Sequence, residues 1–187
     1  MIKRLTLLAM LLSLVFPLQA QLANAPKREV RAVWLTTLKN LDWPTTRGRD
    51  IHSIGRQKQE LRDILDKYQK ANINTVLLQA VVRASVIYPS AIYPWDACMS
   101  GHFGLSPGYD PLAFAIDECH KRGMEVQAWI ATLPVGQFNG AAAKRLRSKG
   151  YKMFKLNGDA FLDPSQESTA ELIASVAREI TTHYDID

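Results

Sequence analysis

The sequence predicts an α/β fold in which parallel strands are joined by helices. Three observations carry that expectation: a continuously apolar strand at Thr75-Val-Leu-Leu-Gln79, a bounded helix from Asp110 to Gly123, and a second strand at Glu125-Val-Gln-Ala-Trp-Ile130. A strand apolar along its whole length suits a parallel sheet covered on both faces. Strand, helix, strand in succession implies a right-handed βαβ unit. A barrel and an open doubly wound sheet both satisfy this pattern, and the absence of GxGxxG after the first strand weakens the dinucleotide-binding form of the second. A (β/α)8 barrel needs roughly 250 residues, so the chain supplies about three and a half of its eight units.

The elements follow in order. Met1-Ile-Lys-Arg4 is basic, Leu5 to Phe16 is almost unbroken apolar sequence, and Leu18-Gln-Ala20 ends in a small residue. This is the pattern of a secretory signal peptide over 1–20, too short to suit a membrane span, with 21–187 as the mature chain. The expectation is therefore an exported protein, periplasmic or extracellular, without stable membrane insertion after cleavage. Removing Lys3 and Arg4 reduces the formal charge of +5, and the mild remainder does not call for nucleic acid.

The first strand covers Val30 to Thr37, and a polar loop runs from Leu38 to Gly55. A helix from about Arg56 to Ala71 carries an apolar stripe at Leu61, Ile64, Leu65 and Tyr68, the spacing of one helical face. The second strand is Thr75 to Ala80, and a long loop then holds Arg83, Tyr88, Tyr93 and Trp95. The next helix has Asp110 as N-cap, Pro111 in its first turn and a basic end closed by Gly123. The third strand is Glu125 to Ala131, and a shorter helix covers Ala141 to Lys149. Asp163, with Gln166 three residues on, caps a last helix striped by Leu172, Val176 and Ile180. Tyr184-Asp-Ile-Asp187 approaches a fourth strand.

Barrel enzymes work at the C-terminal ends of their strands. Those ends offer Trp34 and Thr36, Gln79 and Arg83, and Trp129, with Tyr88, Tyr93 and Trp95 in the loop beyond. Aromatic faces beside amides and a guanidinium suit sugar rings, and Arg83, Gln79, Trp34, Trp129 and Tyr88 are the candidate substrate-binding residues. Trp34 and Trp129 could equally fill a barrel core, and Arg83 could form a structural ion pair. Glycoside hydrolysis needs two carboxylates flanking the bond, and no strand carries an acid at its C-terminal tip. Asp110 and Asp163 are explained as caps, Asp42 and Asp96 lie in loops, and Asp185 and Asp187 precede the fourth strand. A catalytic pair is expected beyond Asp187. The four histidines show no ligand spacing, so neither a metal nor a cofactor is expected. Cys98 and Cys119 could form a disulfide in an exported protein or stand as two unpaired thiols. The basic run Lys144, Arg145, Arg147, Lys149, Lys152 and Lys155 suits a solvated face, with an anionic polymer as the sharper alternative.

Several motifs together resemble a known family: Arg28-Glu-Val-Arg-Ala-Val-Trp-Leu-Thr36, Asn40-Leu-Asp-Trp-Pro44, Tyr88-Pro-Ser-Ala91, Pro94-Trp95, Pro107-Gly-Tyr-Asp-Pro111 and His120-Lys-Arg-Gly123. They resemble the family-10-like glycosyl hydrolases, exported bacterial proteins with a TIM-barrel catalytic domain, over about Lys27 to Asp187. The resemblance implies hydrolysis of glycosidic bonds in a polysaccharide, with peptidoglycan glycan strands as a candidate substrate. It implies that this chain is the N-terminal part of such a barrel, supplying substrate-binding strands without the catalytic acids. It also marks two departures: Gln127 stands where many members have His, and Ala84 follows Arg83 where relatives more often carry Gly, Thr or Asp. The alternatives are a non-catalytic carbohydrate- or wall-binding protein, or the remnant of a degraded gene.

Overall fold

A computed structural model of the chain describes residues 29–187. The signal-peptide expectation for 1–20 lies outside the described residues. The unit from Arg31 to Asp187 is built on a three-stranded parallel sheet in the order β1 (Ala32–Leu35), β2 (Thr75–Val81), β3 (Glu125–Ile130). Helix α1 (Ile51–Lys70) connects the first two strands. The second connection holds the four-residue α2 (Ala97–Ser100) and then α3 (Pro111–His120).

Register divides the sheet into two faces. Leu35 pairs with Leu78, and Val76 with Val126. These side chains join Leu61 and Leu65 of α1 and Leu112 and Ile116 of α3 in one buried cluster. The alternate positions Trp34, Leu77 and Gln127 are laterally aligned on the opposite face, as a strand's two-residue period requires. Trp34 is 58% exposed there, whereas Leu35 is buried. One face of the sheet is therefore covered by helices and the other is open.

Beyond β3 the chain builds a second, antiparallel sheet, ordered β4 (Pro134–Gln137), β6 (Asp159–Leu162), β5 (Met153–Leu156). Helix α4 (Ala141–Ser148) lies between β4 and β5 in sequence and packs on β4. Helix α5 (Glu167–His183) follows, burying Leu172, Val176 and Ile180. After it, Asp187 N–H donates to Val126 O (3.0 Å), and its carboxylate accepts from Val126 N–H (2.8 Å). The chain thus reaches the outer edge of β3, the place a fourth strand would take.

Two helix starts differ from the expectation, for local reasons. Helix α1 begins at Ile51 rather than Arg56, because the Asp50 carboxylate accepts from Ser53 N–H (2.8 Å) and Ser53 Oγ accepts from Asp50 N–H (3.0 Å). This is a capping box written with Ser instead of Glu. Helix α5 begins at Glu167 rather than at Asp163. The Asp163 carboxylate is held in its own turn by Ser165 N–H (2.9 Å) and Ser165 Oγ (2.7 Å), so Gln166 occupies the cap position. Asp110 caps α3 as expected, accepting from Ala113 N–H (3.0 Å) with Pro111 at the first helical position. Cys98 and Cys119 are both buried free thiols, so the structure takes the unpaired alternative rather than the disulfide.

Candidate functional site at the C-terminal ends of the parallel strands

The open face and the C-terminal ends of β1, β2 and β3 bring together four of the five candidate binding residues. Trp34 and Trp129 meet edge to face, with ring centroids 4.8 Å apart and planes at 87°. That geometry satisfies the ring quadrupoles while Trp34 stays largely open to solvent. Gln127 shares their face, at the position where the family resemblance marks a departure.

Gln79 sits beside this pair and is only 3% exposed. Its Oε1 accepts from Thr36 Oγ1 (2.5 Å), Thr37 N–H (3.2 Å) and Leu38 N–H (3.1 Å). Two backbone N–H groups can only donate, so they fix which amide atom is the oxygen. Thr37 Oγ1 donates to Gln79 O (3.0 Å) as well. Gln79 therefore sets the course of the chain leaving β1.

Arg83 follows β2 in a tight turn, closed by Val82 N–H to Ser85 O (2.9 Å) with Ala84 at φ 54°. That left-handed conformation favours Gly, and here Ala84 adopts it. Arg83 Nη1 lies 3.5 Å from Asp159 Oδ2, each side chain about one-third exposed. Sequence reasoning misses Asp159 because it misses the antiparallel sheet. A signal is present: Asn157-Gly158, with φ 51° and 90°, joins β5 to β6 as a two-residue hairpin loop. Asn-Gly between apolar segments is the strongest short hairpin signature.

Tyr88 does not belong to the site. It is fully buried, its hydroxyl donates to Glu179 Oε2 (3.0 Å), and its ring packs edge to face on Tyr184 at 5.5 Å. Burial, then the Glu179 carboxylate, pushes its hydroxyl well above the usual tyrosine range. Glu179 also accepts from Ser90 Oγ (2.6 Å) and Ala91 N–H (2.7 Å), so Tyr88 anchors the loop after β2 to α5. Tyr93 is likewise buried, and burial pushes its hydroxyl up to about 12.

The carboxylates near the strand ends are each engaged. Asp42 Oδ2 accepts from Thr36 N–H (2.9 Å). Asp96 Oδ1 accepts from Cys98 N–H (2.8 Å) and Oδ2 from Ser85 Oγ (2.6 Å). Asp159 faces Arg83. Burial and then the Asp96 charge raise the Cys98 thiol far out of the reactive range, and burial pushes the Cys119 thiol up to about 12. Among the described residues no group of three or more His, Cys, Asp and Glu is placed to hold a metal ion. No described helix is long and apolar enough to cross a membrane. The basic run is broken up: Arg145 Nη2 donates to Ile92 O (2.8 Å), and Arg147 and Lys155 lie over the Phe138 ring at 4.6 and 5.7 Å.

The family model described as glycosyl hydrolase-like 10 matches residues 29–187. The glycosyl hydrolase YngK of Bacillus subtilis (strain 168) is 37% identical over 172 residues, covering 89% of this chain and 33% of that protein. The glycosyl hydrolase DigH of Escherichia coli (strain K12) is 35% identical over 188 residues, covering 91% of this chain and 42% of that protein. The chain thus spans well under half the length of these relatives. Among solved structures, the noncanonic maltogenic alpha-amylase AmyB from Thermotoga neapolitana superposes with a TM-score of 0.55 at 15% identity, over 84% of this chain and 37% of that one. The galactosidase domain of the alpha-galactosidase-sucrose kinase AgaSK gives 0.51 at 13% identity, over 86% and 21%. This likeness is one of fold, shared with TIM-barrel glycosidases.

Proposed function

This chain belongs to the glycosyl hydrolase-like 10 family, and on that premise we propose that it supplies the sugar-binding strands of an exported enzyme that hydrolyses glycosidic bonds in a polysaccharide. In this reading β1, β2 and β3 are the first strands of a (β/α)8 barrel. Peptidoglycan glycan strands are the substrate, and residues 1–20 direct export. The greater length of the relatives and the fold of the glycosidase neighbours support the reading.

The observation that carries it is the Trp34–Trp129 pair on an open sheet face, with Gln79 in register beside Trp129 and Arg83 in the turn that follows β2. A pyranose ring presents an apolar face and a rim of hydroxyls. Exposed indole serves the first, and amide and guanidinium donors serve the second. The carboxylates described at the strand ends are committed to N–H, hydroxyl and guanidinium partners. The flanking acid pair that glycoside hydrolysis requires is therefore assigned to other parts of the full-length enzyme.

The test is titration of the purified 187-residue chain with glycan oligosaccharides, followed by tryptophan fluorescence and by an assay for new reducing ends. The expected result is saturable quenching that is lost in Trp34→Ala and Arg83→Ala, with no reducing ends released. Bond cleavage by the chain alone would overturn the assignment of the acids. Absence of saturable binding would overturn the sugar-binding reading itself.

A further inference from the structure

We propose that the pocket beside Arg83 seats a carboxylate carried on a sugar ring, so that the mouth selects an acidic glycan unit over a neutral one. This rests on the sugar-binding reading above and names the substrate class of the same site. The pocket, about 370 Å³, lies between the chain leaving β1 (Leu38, Lys39 and Asn40) and the chain leaving β2 (Val82 and Arg83). Its size lies in the range of small-molecule sites and suits a single hexose. It adjoins the aromatic face through Leu38, whose N–H donates to Gln79 Oε1.

The charge balance of its walls points to an anion. Lys39, Arg47 and Arg83 line the pocket against one carboxylate, Asp96. Both Asp96 oxygens already accept hydrogen bonds, from Cys98 N–H and Ser85 Oγ. The counter-charge of Arg83 is Asp159, which lies outside this lining. Among the described residues neither Lys39 nor Arg47 has a carboxylate within ion-pair distance. Three cations around one cleft raise the local potential and draw in a negative group. Arg83 and Arg47 add the forked donors that fit a carboxylate.

The backbone beneath Lys39 is held in place at a cost. Lys39 and Asn40 adopt φ of 53° and 58°, a left-handed conformation that asparagine tolerates and that strains a lysine. Asn40 Nδ2 stabilises the turn by donating to Pro44 O (2.5 Å) and Cys98 O (2.8 Å). Glycine would adopt this turn without strain, yet the chain places a lysine there, at the rim of the pocket. Strain retained at a ligand-facing turn is a mark of a functional position.

A carboxylate can reach the ring in two ways, as the C6 group of a hexuronic acid or as an acidic ether substituent on an amino sugar. Calorimetric titration of the 187-residue chain with three probes separates them: a neutral N-acetylglucosamine oligomer, a hexuronate oligomer of equal length, and an oligomer containing N-acetylmuramic acid. The expected result is that one acidic probe binds about 10-fold tighter than the neutral one, as a hydrogen-bonded charge pair implies. The probe with the gain identifies the source. In Arg47→Gln and in Lys39→Gln that advantage disappears, while affinity for the neutral oligomer, which also reports on folding, stays within about two-fold. In the wild-type chain the advantage shrinks as salt rises from about 0.05 to 0.5 M, since the pocket is open to solvent. Equal affinity for all three probes, or a preference that survives both substitutions and high salt, overturns the inference while leaving the sugar-binding reading intact. Failure to bind any of the three overturns both.

Discussion

Trp34 and Trp43 stand nine positions apart and have opposite surroundings, which makes them a test of function against stability. Trp43 is fully buried and its indole N–H donates to Gln57 O (2.9 Å). Trp43→Ala should lose about 3–5 kcal/mol of unfolding free energy through the cavity and the lost indole hydrogen bond, read from urea unfolding. Trp34→Ala should cost distinctly less, about 1–2 kcal/mol, since more than half of its surface already meets water, while abolishing sugar-induced quenching. Glu60 supplies a pH-dependent case. Burial raises its carboxyl, but donors from Thr45 and Thr46 prevail and hold it below its ordinary value. A depressed folded value means stability present above the unfolded carboxylate range and lost as pH falls through the folded one. Glu60→Gln should therefore be less stable than wild type by about 1 kcal/mol at neutral pH, a modest figure for a half-buried group still screened by solvent. The gap should close under acid, in melting curves taken from pH 7 down to about 3. A gap that persists unchanged at acid pH would show that the carboxylate's charge contributes nothing.

At the scale of elements, short-range chemistry sets several boundaries and can be tested one cap at a time. Asp50→Ala removes the carboxylate half of the α1 capping box and leaves the Ser53 half, which uses the Asp50 backbone N–H, and should cost about 1 kcal/mol with fraying confined to the first turn in amide exchange. Gly158 lies at φ 90°, and a Cβ added there would meet no heavy atom within 4 Å. The cost of Gly158→Ala is thus backbone strain alone, about 1–2 kcal/mol. Because the hairpin presents Asp159 to Arg83, the same change should also weaken glycan binding, which a purely local strain would not do. The sequence reveals those elements whose own residues specify them. The apolar run of β2, the Asp110–Pro111 start of α3 and the stripes of α1 and α5 all follow from period and capping. The placement of Trp34, Gln79, Arg83 and Trp129 at or near strand ends is legible for the same reason, and the binding role proposed for them rests on that placement. Tyr88 is misplaced by sequence reasoning because its partner Glu179 is 91 residues away, and nothing local announces such a contact. The antiparallel sheet goes unseen because its four-residue strands are too short for a period to emerge, although Asn157-Gly158 marks one of its turns.

For the whole molecule, the decisive property is that the parallel sheet has one helix-covered face and one open face. Trp34, Leu77, Gln127 and Trp129 lie on the open side, and β1 has no partner beyond it among the described strands. An exposed indole beside an unpaired strand edge is a template for association. The 187-residue chain should therefore self-associate with rising concentration, as weight-average mass in sedimentation velocity would report. Trp34→Gln should weaken that association roughly 10-fold, the effect of about 1.4 kcal/mol of lost apolar burial. The association and the proposed sugar site use the same face, which links them by mass action. Saturating glycan should shift the chain toward monomer, and high chain concentration should lower its apparent affinity for glycan. Association that persists unchanged in Trp34→Gln and under saturating glycan would place the contact elsewhere, separating the adhesive surface from the binding face.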